Sequence, residues 1–306
     1  MYNLDFYNEL LFKPSSYKLP THVLESVSKL HTHLGVSKDQ PPGPVYAVNR
    51  TNRRHRNDQD EQWKKREAFK TTVIVKTEGT TKLLSEMKNG LNKLSATKYD
   101  IHATQILETI ATLLLPENNV DGDMAIQIFD LLAVTACTNH YWSVLYATLC
   151  KTLLDTHAEF EEVKDKMIHD YKNDEMVINV ADPGEDYDKF CEYNKQNEKR
   201  RSRLLFIINL YKNGSCNESE LIEIVQKIES SLKVGVSDKE CIGQNDEFTE
   251  LINVFVTNMV DELKTKDTFA FGMDWLKQYS VCKTKDNPGF TRRSMFKFMD
   301  MVDLFK

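Results

Sequence analysis

The sequence predicts an all-α fold: a solenoid of about five antiparallel helix pairs, preceded by an extended N-terminal arm. Three observations carry this. Glycine and proline are scarce, 11 and 8 among 306 residues, too few for the many tight turns of a barrel or sandwich. From residue 80 to the end, apolar residues recur at helical spacing. Hydrophobic residues make up 41% of the chain, enough for an ordinary core.

Composition divides the chain into three stretches. Residues 1–36 mix aromatic residues and leucines. Residues 37–79 carry three prolines, many charges and few aliphatics, the composition expected of an extended or disordered linker. Residues 80–306 hold the helical patterns.

Within that third stretch about ten helices follow one another. Leu83, Leu84, Met87, Leu91 and Leu94 form the first stripe. Tyr99, Ile106, Ile110, Leu113 and Leu114 mark the second, stopped by "PENNVDGD". The third runs through "MAIQIFDLLAVTA". The fourth is "NHYWSVLYATLCKTLLD", with Trp142, Leu145, Leu149 and Leu153 in step. The fifth covers residues 158–172, and "NVADPGED" predicts a loop after it. The sixth begins near Tyr187 and runs through "KRRSRLLFIINLYK" to Gly214, which suits a C-terminal cap. The seventh starts at Asn217, with Glu220 three residues on as in a capping box, and carries Leu221, Ile224, Val225 and Ile228. The eighth is "DEFTELINVFVTNMVDELK", the ninth spans residues 267–281, and the tenth follows "DNPGF" to the end. Pairs of about 40 residues suggest repeats of the HEAT type. Self-similarity is weak, and the same periodicity also fits an irregular helical bundle.

The net charge is −6, so nucleic-acid contact has to come from local patches. The six cysteines make no CxxC pair and lie within helical patterns, which predicts buried thiols in a reducing compartment. "MYNLDFYNELLFK" has acidic residues and no apolar run of signal length, so no signal peptide is expected. No apolar stretch approaches the roughly 20 residues of a bilayer span. These features predict a cytoplasmic protein without a membrane partner.

The sequence offers catalysis little to work with. Of the eight histidines, His31 and His33 lie close, but at i,i+2 they face apart on a helix, and no carboxylate or cysteine stands near at metal spacing. "EFEEVKDK" sets Glu161 and Asp165 on one face beside lysines, the pattern of a solvated face. Gly35, Gly43, Gly79 and Gly90 build no phosphate-cradling loop, and neither GxSxG nor Walker motif is present. No enzyme, metal or cofactor is expected; the sequence predicts a binding surface.

Three surface features remain. Arg50, Arg53, Arg54 and Arg56 in "NRTNRRHR" suit either a phosphate-contacting arm or a solvated linker. Trp63 in "DEQWKKREAF" has no local core to join; it either anchors a partner or packs back on the first helix pair. Lys199, Arg200, Arg201 and Arg203 precede a buried helix half, and Arg292, Arg293 and Lys297 alternate with Met295, Phe296 and Phe298. A solvated face is the plain alternative for both basic runs.

Four stretches, taken together and in order, resemble the middle domain of eukaryotic translation initiation factor 4G. "LLSEMKNGLNKLSATKYDIHATQIL" resembles its first helix pair, with Leu91, Asn92, Lys93, Leu94 and Ser95 at a leucine-asparagine-lysine-leucine-threonine signature. "IFDLL…WSVLYATLCKTL" is similar to the second pair, through Tyr146, Ala147, Leu149 and Cys150. "KRRSRLLFIINLYKNGSCNES" is similar to the family's arginine-rich approach to a "FIGELYKLGLLTE" helix turn. "RRSMFKFMDMVDLFK" resembles the closing helix, with Asp300, Val302, Asp303 and Leu304 in place. The resemblance covers residues 80–306. Departures are Arg203-Leu204-Leu205 where a glycine is usual, a second pair longer between Phe129 and Tyr146, and a poor match around "VGVSDKECIGQ".

The resemblance implies a scaffold with three parts. Residues 80–306 would be the HEAT-repeat middle domain. Residues 37–79 would be a charged linker whose Trp63, with Phe69, grips a DEAD-box helicase of the initiation factor 4A type; Asn92, Lys93, Arg292 and Arg293 would contact the same partner. Residues 1–36 would bind a cap-binding protein of the initiation factor 4E type through Tyr2, Phe6, Tyr7, Leu10, Leu11 and Phe12. Two imperfect registers of that motif stay open, one from Tyr2 and one from Phe6, which lacks the tyrosine hydroxyl. Arg50, Arg53, Arg54, Arg56, Lys199, Arg200, Arg201 and Arg203 would add contacts to mRNA. A chain this short would suit a reduced eukaryote or a large DNA virus. The alternatives are a HEAT-repeat adaptor in RNA processing or surveillance, which uses the same domain type, and a stand-alone RNA-binding solenoid.

Overall fold

The structure, a computed structural model, describes residues 20–33, 79–119, 122–173, 176–269 and 271–306. The described residues form twelve α-helices and no strand. The chain divides into two units, Met1–Ile74 and Val75–Lys306. In the first, α1 (Thr21–His33) is a helix beyond those the periodicity predicts; the Pro20 carbonyl opens it by accepting from the backbone N–H groups of Val23 and Leu24 at 2.9 and 3.2 Å.

The second unit holds α2 (Thr80–Leu91), α3 (Tyr99–Leu113), α4 (Met124–Thr138), α5 (Ser143–Thr156), α6 (Glu159–Asn173), α7 (Tyr187–Lys212), α8 (Glu218–Gly235), α9 (Ile242–Asn258), α10 (Val260–Thr265), α11 (Phe271–Ser280) and α12 (Arg292–Asp303). Each helix predicted from residue 80 onward is present. The eighth starts earlier than predicted, at Ile242, and breaks at Met259, where φ −121° and ψ 20° leave the helical region and separate α9 from α10.

Local chemistry sets the boundaries. Asp186 caps α7, its carboxylate accepting from the Lys189 N–H at 3.0 Å. The helix closes in a Schellman motif: the Ser215 N–H donates to Leu210 O at 2.7 Å and the Gly214 N–H to Tyr211 O at 2.9 Å. Gly214 takes the left-handed φ of 81° that this closure requires. The predicted capping box at Asn217 and Glu220 is present at the start of α8. Thr291 caps α12 through the Ser294 N–H at 3.0 Å.

One core runs through the unit from Met87 to Met301. Helices α2 and α3, α8 and α9, and α11 and α12 pack as sequential pairs. The 26-residue α7 is the spine: it lies against α4, α5, α8 and α9, and α9 in turn carries α12. Leu204, Phe206, Ile207, Ile208 and Leu210 of α7 are fully buried, each contributing about 1.5–3 kcal/mol relative to exposure. Helix α6 rests mainly on α4 and meets α7 at Tyr171, whose hydroxyl donates to Arg200 O at 3.3 Å. The result is an all-α, HEAT-type solenoid. Cys137, Cys150 and Cys216 are buried as predicted, whereas Cys191, Cys241 and Cys282 are half-exposed.

Candidate interaction surface

Tyr2, Phe6, Tyr7, Leu10, Leu11, Phe12, Arg50, Arg53, Arg54, Arg56, Trp63 and Phe69 lie outside the described residues. Asn92, Lys93, Lys199, Arg200, Arg201, Arg203, Arg292 and Arg293 lie within them, and the fold sorts these residues differently from their motifs.

Asn92 follows the last turn of α2, its N–H donating to Lys88 O at 3.0 Å. Its side-chain oxygen accepts from Asn139 Nδ2 at 3.3 Å, in the turn between α4 and α5. Lys93 is exposed and borders a groove between α2 and α3 with Glu86, Gly90 and His102. Gly90 is required there, since a Cβ would lie 2.8 Å from Ile106 Cγ1. In the α4–α5 turn Tyr141 is 80% exposed and meets Trp142 edge-on, ring centroids 4.7 Å apart. His140 of that turn shares a shallow cleft with Arg201 and Leu205 of α7 and with Val254 and Asn258 of α9.

From Arg201 the polar contacts continue. Its Nε lies 3.2 Å from Glu247 Oε1 on α9. One turn on, Glu250 pairs with Arg293 Nη2 of α12 at 3.1 Å and with Lys297 Nζ. Asp246 Oδ1 accepts from the hydroxyls of Thr291 and Ser294, both at 2.6 Å. Asn92, Lys93, Arg201 and Arg293, drawn from separate sequence motifs, are thus linked by a path of neighbouring contacts that runs from the end of α2 through the α4–α5 turn, α7 and α9 to α12.

The basic run at 199–203 does not form a single surface. Successive residues turn about 100° around a helix, so four neighbours face different ways. Lys199 is exposed. Arg200 is 6% exposed, donates to Asn197 Oδ1, and reaches Val177 O through Nη2 at 3.0 Å. It fastens the segment around the buried Met176 and Ile178 onto α7, which removes it from the predicted RNA contacts. Arg201 is half-exposed and paired with Glu247. Arg203 borders another cleft, between α4, α6 and α7, with Asp130, Glu159 and Asp170. Arg292 and Arg293 are both exposed at the start of α12.

Glu247 is the residue that sequence reasoning missed. It is 7% exposed, and burial pushes its carboxyl up to about 7; Arg201 and Arg200 pull the other way, Glu250 adds to the rise and Lys297 opposes it. The signal was available: Glu247 stands four residues before the buried Leu251 and eight before the buried Phe255, on the inner stripe of α9.

Among the described residues no group of three or more His, Cys, Asp or Glu could hold a metal ion, and no helix is long and apolar enough to cross a membrane. Burial pushes the thiols of Cys150 and Cys216 up to about 12, which makes them poor nucleophiles.

Compared with curated proteins, the chain has no match. Residues 84–306 match the model of the MIF4G domain. That domain is a helical scaffold, not a catalytic family; it occurs in translation initiation and in RNA surveillance and processing proteins, where it binds proteins such as helicases and RNA. With the stacked helices from α2 to α12 inside that match, the chain belongs to the MIF4G domain family.

Proposed function

We propose that this protein is a cytoplasmic translation initiation scaffold similar to initiation factor 4G. Residues 1–36 bind a cap-binding protein of the initiation factor 4E type. Trp63 and Phe69, together with Asn92, Lys93, Arg292 and Arg293, bind a DEAD-box helicase of the initiation factor 4A type. Lys199 and the arginines at 50–56 add affinity for mRNA. The observation that supports this reading best is this path of contacts: it runs from the end of α2 to α12. Residues singled out near the two ends of the helical unit are joined along it by the Asn92–Asn139, Arg201–Glu247 and Glu250–Arg293 contacts. A rigid scaffold that touches both lobes of a helicase favours its closed, ATP- and RNA-bound state by the difference between its affinities for the closed and open forms.

The test is co-purification of the full chain with its partners. Wild type retains a helicase and a cap-binding protein; Trp63→Ala loses the helicase, and deletion of residues 1–36 loses the cap-binding protein. Retention of a helicase with no cap-binding protein, whether or not residues 1–36 are present, would overturn the initiation reading in favour of an RNA-processing or surveillance adaptor.

A further inference from the structure

Between α7, α9, α12 and the segment before α7 lies a cleft of about 260 Å³. Phe190 and Tyr193 form one wall, Asn179 and Asn194 border the mouth, and Glu247 and Glu250 stand on the α9 side. Glu247 is more than nine-tenths buried, yet its Oε1 accepts no hydrogen bond. The oxygen lies 3.2 Å from Arg201 Nε, but that N–H points instead to Asn197 O, at 3.4 Å. A buried carboxylate oxygen left without a donor carries an uncompensated desolvation cost, and a donor entering the cleft offsets part of it.

We propose that this cleft receives an arginine side chain of a protein partner, with its guanidinium on Glu247 and its plane against Tyr193 and Phe190. The inference rests on the reading of this region as a protein-contacting surface and goes beyond it by naming the group recognised. Three features select that group. A guanidinium offers a planar fork to a carboxylate and stacks on aromatic rings, whereas an ammonium does neither. The volume lies below the roughly 300 Å³ at which small-molecule sites begin, so it suits one side chain better than a nucleotide. The charges also disfavour RNA: three carboxylates, Asp246, Glu247 and Glu250, face the cleft against Arg201 and Arg293, and Arg293 already pairs with Glu250.

The charged groups facing Glu247 are Arg200 and Arg201 on α7, Asp246 and Glu250 on α9, and Arg293 and Lys297 on α12. Burial holds the Glu247 carboxyl at about 7, and a bound guanidinium favours its ionised form, so binding releases a proton. Affinity for arginine therefore rises with pH, by about tenfold between pH 6 and pH 8.

Acetyl-arginine methylamide, titrated into the isotope-labelled full chain, tests this by amide NMR. Saturable shifts confined to residues 190–201 and 243–250, stronger at pH 8 than at pH 6, are the expected result. The lysine analogue binds more weakly, Glu247→Gln flattens the pH dependence, and Asn194→Trp, at an exposed position, blocks the mouth. Thermal melts of both variants establish that they are folded. Absence of saturable shifts, equal pH dependence in Glu247→Gln, or guanosine monophosphate binding there in place of arginine overturns the proposal. Arginine binding without helicase co-purification sinks the helicase reading alone.

Discussion

The hydroxyl of Tyr146 in α5 donates to the carbonyl of Leu91 at the end of α2, at 3.0 Å and across 55 residues of chain. The same hydroxyl accepts from Asn139 Nδ2 at 3.2 Å, and Asn139 also holds Asn92. Tyr146 is 1% exposed, so water cannot replace these bonds. Tyr146→Phe removes one of the two donors to the Leu91 carbonyl, which keeps the Leu94 N–H at 3.2 Å, and is expected to destabilise the protein by about 0.5–1.5 kcal/mol. Denaturant unfolding measures the loss, and the amide resonances of Asn92 and Lys93 should shift with it. A loss under about 0.3 kcal/mol would mean that the two helix pairs are held by apolar packing alone.

Gly289 sits where the turn before α12 meets the end of α8. A Cβ there would lie 2.2 Å from Gly235 O and 2.3 Å from Asp238 O, and backbone atoms cannot swing aside. The contact is bonded as well: the Gly289 N–H donates to Val236 O at 2.9 Å, and its carbonyl accepts from Asn245 Nδ2 at 2.8 Å. Gly289→Ala is expected to cost about 3 kcal/mol through overpacking. Gly214 supplies the contrast: its φ is 81°, but an added Cβ meets nothing within 4 Å. Gly214→Ala is therefore expected to cost only about 1 kcal/mol, from backbone strain. Thermal or denaturant unfolding of the two variants ranks them, and the reverse order would refute the close approach at Gly289.

Helix order was legible because each helix from residue 80 onward buries a stripe whose spacing is written in the chain; Leu221, Ile224, Val225 and Ile228 of α8 are all fully buried. The break at Met259 was not, because the apolar run of "NVFVTNMVDEL" crosses it without a proline or glycine. The site was legible in part. Arg200 precedes Leu204 by four residues and Ile207 by seven, which places it on the inner stripe, but a run of like charges invites reading all its members as exposed. The joining of Arg201 to Glu247 and of Glu250 to Arg293 depends on how α7, α9 and α12 stack, and no local pattern carries that information.

Glu247 makes stability fall as pH rises. Its folded carboxyl titrates at about 7 against an ordinary value of 4.5. Between those two values the folded state keeps a proton that the unfolded state has released, so unfolding free energy declines with pH across that window and levels off above it. The full effect is about 3 kcal/mol, taken from the size of the shift. Glu247→Gln removes the titrating group, and denaturant curves between pH 5 and pH 8 should lose most of this slope. A variant whose slope equals that of wild type would place the titration elsewhere.

Lys199 and Arg200 are neighbours in sequence with opposite roles, and their substitutions should separate binding from stability. Lys199 is exposed, so Lys199→Ala should change stability by no more than about 0.5 kcal/mol. Under the proposed contact with mRNA it should also weaken RNA binding and lower the salt dependence of that binding by about one counterion. Arg200→Ala removes the donors to Asn197 Oδ1 and Val177 O and leaves both acceptors beneath a segment that Arg200 itself holds down. A cost of about 3 kcal/mol is expected, together with faster amide exchange at residues 176–180. Any RNA effect of Arg200→Ala should follow its unfolding and vanish at temperatures where the variant is fully folded. An RNA defect that persists in fully folded Arg200→Ala, with Lys199→Ala silent, would show that the buried guanidinium and not the exposed ammonium meets the nucleic acid.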